Sequence, residues 1–171
     1  MKPLYKQYYV FSPRVSITVP HPLANSAFKK SFVGVYEVSG GLNIMLYKGL
    51  FLGCTYKNTL FKIMENKIPD YNASMSINSV AGKIGGDWYI GDNNRIVYSM
   101  ALSGGRNWTY FSSLICKTPG HIMNMHYSTT YVEPEVNLFF LVETNFGIGV
   151  TVAYAIFNRN FDPYEICLDD W

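Results

Sequence analysis

The chain has 171 residues, enough for a single domain spanning 1–171 with a sizeable core. Only 15% of its residues are charged, against about 25% in a typical soluble domain, yet it carries 14 Tyr, 11 Phe, 3 Trp and 14 Gly. The formal charge of +2, with no basic run interleaved with aromatics, leaves no case for nucleic acid as a partner.

The N-terminal MKPLYKQYYVFSP lacks the apolar core and small-residue cleavage site of a secretory signal. For an exported protein the expectation is therefore a mature form or an excised piece. A first strand runs to about Val19, with Val15, Ile17 and Val19 opposite Arg14, Ser16 and Thr18. Residues 20–30 read as a long loop. The segment from Phe32 to Leu46 is the clearest strand in the chain. Side chains alternate with period two in a strand. Phe32, Gly34, Tyr36, Val38, Gly40, Leu42, Ile44 and Leu46 are thus expected on one face. Val33, Val35, Glu37, Ser39, Gly41, Asn43 and Met45 fall on the other. A strand with one face in water normally carries Lys and Glu there. This one has a single charge.

Tyr47-Lys48-Gly49 predicts a tight turn, after which Leu50, Leu52, Cys54 and Tyr56 oppose Phe51, Gly53, Thr55 and Lys57. A longer loop follows at 64–71. Strand four covers roughly residues 72–90, with Val80, Ile84, Trp88 and Ile90 on one face and Lys83 and Asp87 on the other. Gly91-Asp92-Asn93-Asn94 is a strong turn signal. Strand five sets Ile96, Tyr98, Met100 and Leu102 against Val97, Ser99, Ala101 and Ser103, and residues 112–124 form a long polar loop.

Strand six places Val132, Val136, Leu138, Phe140 and Val142 opposite Glu133, Glu135, Asn137 and Glu143. Pro134 lies within it and predicts a bulge or an edge. Residues 144–146 turn the chain into strand seven, with Ile148, Val150, Val152, Tyr154 and Ile156 opposite Gly147, Gly149, Thr151, Ala153 and Ala155. A last loop at 158–163 leaves Tyr164–Trp171 as a short, acidic eighth strand. No run of about 18 apolar residues predicts a transmembrane helix. Residues 137–157 come nearest and read better as two strands around a turn.

Connectors thus alternate short and long, and every long one falls on the same side. Outer-membrane barrels have tight periplasmic turns and longer outer loops. The expected fold is all-β: an antiparallel up-and-down eight-stranded transmembrane β-barrel with a short or missing last strand. Runs such as VGVYEVSGGLNIMLYKGLFLG and FGIGVTVAYAIF make residues 10–160 similar to the small outer-membrane β-barrel proteins of Gram-negative bacteria. The Tyr/Asn/Lys-rich flavour resembles versions from the Bacteroidetes group. The resemblance implies location in the bacterial outer membrane and contact with outer-membrane lipid. It implies no reaction, since members serve as anchors, adhesins, narrow pores, assembly factors and parts of secretion complexes.

With the apolar faces in lipid, Arg14, Glu37, Lys57, Lys83, Asp87, Glu133 and Glu135 share one interior. Eight strands enclose a space just wide enough for side chains. The expected result is a plug of paired charges rather than a channel, because buried charge is tolerated only when paired. Glu133 and Glu135 share a strand face as an acid/base pair would, but no sugar platform accompanies them. His21, His121 and His126 show no metal-ligand spacing. Glycine pairs at 40–41, 85–86 and 104–105 lack the Lys and Ser/Thr of a phosphate loop, and no nucleophile motif is present. Tyr8, Tyr9, Trp88, Trp108, Tyr110 and Tyr131 are candidates for aromatic girdles at the membrane boundaries. Cys54 falls on an apolar face. Cys116 and Cys167, in loops at the same end, are candidates for a disulfide, with three free thiols as the plainer reading.

The expected function is a non-enzymatic outer-membrane barrel without cofactor or metal. Its role is that of a structural or interaction subunit, for instance of a larger outer-membrane or secretion assembly, with other outer-membrane proteins as partners. The main rival is a soluble lipocalin-like barrel with apolar residues pointing inward around a small hydrophobic ligand. A second is a small lipid hydrolase or acyltransferase that depends on His126.

Overall fold

A computed structural model describes residues 10–23, 25–64, 73–91, 95–113, 123–143 and 146–159. Its strands are β1 (Phe11–Thr18), β2 (Phe32–Tyr47), β3 (Leu50–Ile63), β4 (Ala73–Ile90), β5 (Ile96–Ser113), β6 (Met123–Glu143), β7 (Phe146–Ala153) and β8 (Ile156–Phe157). A helix, α1 (Ser26–Ser31), lies between β1 and β2. The strands form one antiparallel up-and-down sheet in the order β1-β2-β3-β4-β5-β6-β7, and β8 also pairs with β6.

β8 is a continuation of β7. Glu135 faces Ala153 and Val132 faces Ile156, so the register is unchanged across the gap. The interruption falls opposite Pro134. Tyr154 N–H donates to the Pro134 carbonyl (3.1 Å), but proline has no N–H to return the bond. On its other side Pro134 faces Leu102 within an unbroken β5–β6 ladder. The expected bulge is therefore absent. The proline interrupts only the ladder toward β7.

A bulge appears instead in β2. Gly34 pairs with Phe61 and Tyr36 with Leu60, so β2 spends one extra residue there. The extra residue reverses the alternation, and Phe32 is fully buried on the same face as Glu37 rather than beside Leu42. Gly34 suits the spot because a Cβ would strike the Pro20 carbonyl as the preceding segment passes over it. The stretch expected to be all loop between β1 and β2 contains α1, whose N-cap Asn25 accepts from the Phe28 N–H at 2.9 Å. At the opposite end, Lys48 (φ 46°) and Gly49 (φ 90°) make the tight β2–β3 turn.

The sheet is rolled but not closed. Among the described residues β1 and β7 each keep one free edge. They run in the same direction, so an all-antiparallel closure takes one further strand between them. The eighth strand expected at Tyr164–Trp171 lies outside the described residues. The roll is nevertheless deep enough for Arg14 on β1 to reach Asp87 on β4 and Ser99 on β5.

Candidate functional site: the polar interior

Over the half of the sheet nearest the tight turns, apolar side chains point outward and polar ones inward. Val15 is 80% exposed and Val152 71%, and Leu42 and Leu138 also face outward. On the concave face Asp87, Ser99 and Ser103 are fully buried, and Lys57, Glu133, Glu135 and Asn137 nearly so. The seven charged residues singled out in the sequence all sit on this inner face.

They are held in three connected groups. Arg14 Nη2 donates to Asp87 Oδ2 at 2.6 Å and Nη1 to Ser99 Oγ at 3.2 Å. Its guanidinium lies over the Phe51 and Phe139 rings, at 5.3 and 4.9 Å. Lys83 Nζ donates to both Glu135 oxygens at 2.8 Å. Asn137 then bonds Glu135 and accepts from Thr151 on β7 (2.9 and 2.6 Å). Lys57 Nζ pairs with Glu133 and lies 3.7 Å from Glu37, which also accepts from Thr59 at 2.9 Å. Strands from β1 to β7 contribute, so the network ties the roll together across its interior. Side chains removed from water keep their charge only with such partners.

Small apolar clusters bracket this network. Near the turns Met45, Phe51 and Ala101 pack together. At the loop end a larger cluster comprises Phe32, Phe61, Ile63, Ala73, Met75, Ile77 and Phe111, with Phe28 of α1 packed against it. Phe28 stacks on Phe32 and meets Phe61 edge-on, both at 5.1 Å. Between the network and this cluster lies a cavity of about 630 Å³. The residues of both free edges, β1 and β7, line it.

Sequence reasoning missed the loop-end cluster because it assigned one polarity to each strand face throughout. On the outer surface the apolar run ends at a boundary through Asn58, Asn78, Arg106, Thr130 and Asn158. Immediately below these stand Tyr56, Val80, Gly104, Val132 and Ile156. Above the boundary the outer side chains of β4 and β6 are polar and Phe61, Ile63, Met75, Ile77 and Phe111 face inward, beside the buried Thr59, Asn107 and Thr109, while β5 keeps Trp108 and Tyr110 outside. β4 and β6 thus change the chemical character of their outer face without any break in the strand, and β5 turns apolar inside only at Phe111.

Other residues singled out in the sequence are placed as follows. Trp88 is outward near the turns, with Tyr98 at 5.9 Å, and Trp108 and Tyr110 are outward near the loop end. Tyr131, expected in a girdle, is instead buried inside, because it shares the parity of Glu133 and Glu135 on β6. Tyr8, Tyr9, His121, Cys116 and Cys167 lie outside the described residues. Cys54 is a free, exposed thiol on the outer face. His126 is exposed and stacks on Tyr110 at 6.4 Å, and His21 is exposed. Lys57 and Lys83 occupy Glu133 and Glu135, so neither carboxylate stands ready beside a nucleophile. Among the described residues no group of three or more His, Cys, Asp or Glu could hold a metal ion. Chemically the site is a set of paired charges among which the buried Asn43 Nδ2, Ser103 Oγ and Tyr131 hydroxyl have no hydrogen-bond partner.

Comparison of the chain with protein-family models, with curated proteins and with solved structures gives no match. The class that the fold defines is an all-β antiparallel up-and-down sheet compatible with a small β-barrel.

Proposed function

We propose that this chain is a non-enzymatic outer-membrane β-barrel protein, anchored by its lower sheet and acting as a structural or interaction subunit through its loop end. The outward apolar belt of the lower half over a polar, charged interior, giving way to a polar outer face along the upper β4 and β6, carries this reading. A strand wholly in water needs its apolar side inward over its whole length, and a soluble ligand-binding barrel of the lipocalin kind would be apolar inside near the turns as well. Hydrocarbon around the lower half and water around the upper half accounts for both polarities. A tilted strand crosses a bilayer in about 9–11 residues. The outward uncharged run of β5 from Ile96 to Gly104 fits that length, with aromatic residues near both limits.

The paired interior supports an anchor rather than a pore, because each of its charged groups already faces an opposite charge. Two experiments test the reading. The refolded chain should require detergent or lipid and migrate differently on gels before and after heating. It should also remain in the membrane pellet after an alkaline carbonate wash. A chain that folds in plain buffer and washes off vesicles contradicts it.

A further inference from the structure

Three of the four described interior carboxylates have a cation in close contact. Arg14 holds Asp87 at 2.6 Å, Lys83 holds both oxygens of Glu135 at 2.8 Å, and Lys57 pairs with Glu133. Glu37 is left over. Among the described residues its nearest cation is the same Lys57, 3.7 Å away and beyond the reach of an N–H···O hydrogen bond. Two neutral donors serve it instead, the Thr59 hydroxyl at 2.9 Å and the Thr18 hydroxyl at 3.4 Å. Hydroxyls occupy oxygen lone pairs but bring no opposite charge.

Glu37 is also the carboxylate that opens onto the cavity. Its side chain is 21% exposed, whereas Asp87, Glu133 and Glu135 are almost sealed. Its register partner Thr59 stands one residue to the loop side of the boundary residue Asn58. The carboxylate therefore sits at the level where the outer face of the sheet turns polar. From there toward the loop end the wall is made by Phe28, Phe61, Met75 and Ile77. The volume of about 630 Å³ is that of a small-molecule site.

The surrounding charges narrow the occupant. An anion would find Lys57 and Lys83 committed and would face Glu37 itself. A calcium or magnesium ion takes six or more oxygens, which one carboxylate and two hydroxyls do not supply. A polycation would find a single carboxylate left over. What fits is one positive charge on an apolar body. At the rim the Arg159 guanidinium lies over the Tyr127 ring at 4.4 Å, so the wall there already holds a cation against an aromatic face.

We infer that this cavity binds a small organic monocation, a primary amine on an apolar body, with its ammonium on Glu37 and its body against Phe61, Met75 and Ile77. The charge count and the cavity hold whatever surrounds the lower belt, so the site adds a ligand to the anchor and does not depend on the membrane assignment.

The test uses the full chain refolded in nonionic detergent and titrated calorimetrically with three probes that share an indole body, after subtraction of the heat from micelles alone. Tryptamine carries a positive charge, tryptophol none and 3-indolepropionate a negative one. Wild type should bind tryptamine at least about tenfold more tightly than tryptophol, and should not bind 3-indolepropionate. Glu37→Gln should bring tryptamine down to the level of tryptophol and leave tryptophol unchanged. Glu143→Gln, an exposed carboxylate near the turns, should change nothing. Equal binding of tryptamine and tryptophol by wild type overturns the inference without any variant. So does a tryptamine preference that survives in Glu37→Gln, or tighter binding of 3-indolepropionate than of tryptamine. The carbonate wash keeps this reading apart from the previous one. A chain that washes off vesicles yet prefers tryptamine refutes only the membrane assignment, whereas one that stays in the pellet without that preference refutes only the amine site.

Discussion

The lower and upper halves of β4, β5 and β6 are built from the same strands in continuous register and bury the same face, yet that buried face is mostly polar near the turns and becomes apolar toward the loop ends. Near the turns Ser99 and Ser103 are inside while Met100 and Leu102 are outside. Near the loops Phe111 and Met75 are inside while Tyr110 and Ser76 lie on the outer side. Backbone geometry dictates only that neighbouring side chains point opposite ways. The medium on each side decides which set is apolar. The lower half spends its interior on ion pairs and the upper half on a packed apolar cluster, so the two halves should respond differently to substitution.

The largest effect is expected from Lys57→Met. The substitution leaves Glu133 and Glu37 facing each other in the interior without their shared cation. Removing one partner of a buried pair costs about 3–5 kcal/mol, and two stranded carboxylates place this case at the upper end. The variant with both Lys57→Met and Glu133→Leu should recover much of the loss. Urea unfolding in lipid vesicles measures both. If the single variant is no worse than the double, the pairs do not hold the lower half together.

Phe32→Ala should cost about 3–4 kcal/mol, since it opens a hole in the fully buried loop-end cluster. On the membrane reading proposed above, Leu102→Ala on the outer belt should cost under about 1 kcal/mol in lipid vesicles, because lipid tails would replace the lost contacts and no water-excluding core is opened. Equal costs at the two positions would mean that both apolar sets meet the same surroundings.

On the same membrane reading, Val150→Arg should destabilise by about 2–4 kcal/mol in vesicles, since the outward-facing Val150 of β7 would then sit near the middle of the hydrocarbon band. Thr151→Arg points inward beside Asn137 and is limited by the space around that hydrogen bond. If the two positions tolerate arginine equally, the assigned faces are wrong.

Much of the lower half was legible from alternation. The two faces of β3, β4, β5 and β7, and the sharing of one face by Arg14, Glu37, Lys57, Lys83, Asp87, Glu133 and Glu135, follow from parity alone. Which charge meets which does not, because Arg14 and Asp87 come together only through the roll of the sheet. Parity could also have placed Tyr131 inside, two residues from Glu133, had aromatic type not been weighed above position. The bulge at Val35 was not legible, since an extra residue leaves no mark in a list of side chains. Gly34 beside an uncharged run was its sole trace. The change of the outer face was visible in outline as Asn58, Asn78 and Arg106 following apolar outward positions. Without a register to set those residues side by side, they read as ordinary strand ends.

The smallest effect sharpens the same contrast at the rim. Six residues cannot sustain a helix alone, since nucleation is costly and few hydrogen bonds repay it. α1 persists through the Asn25 cap, the Ser31 hydroxyl donating to the Ala27 carbonyl at 2.8 Å, and Phe28 seated on Phe32 and Phe61. Asn25→Ala removes the first of these at a cost of about 1 kcal/mol. The helix contributes only Phe28 to the edge of the cluster, so the loss should be local. Amide exchange should quicken over Ser26–Ser31 while the belt strands and the unfolding midpoint barely change. Faster exchange spreading into β2 beyond Phe32 would mean that the rim helix supports the lower sheet, and the two halves would then be one cooperative unit.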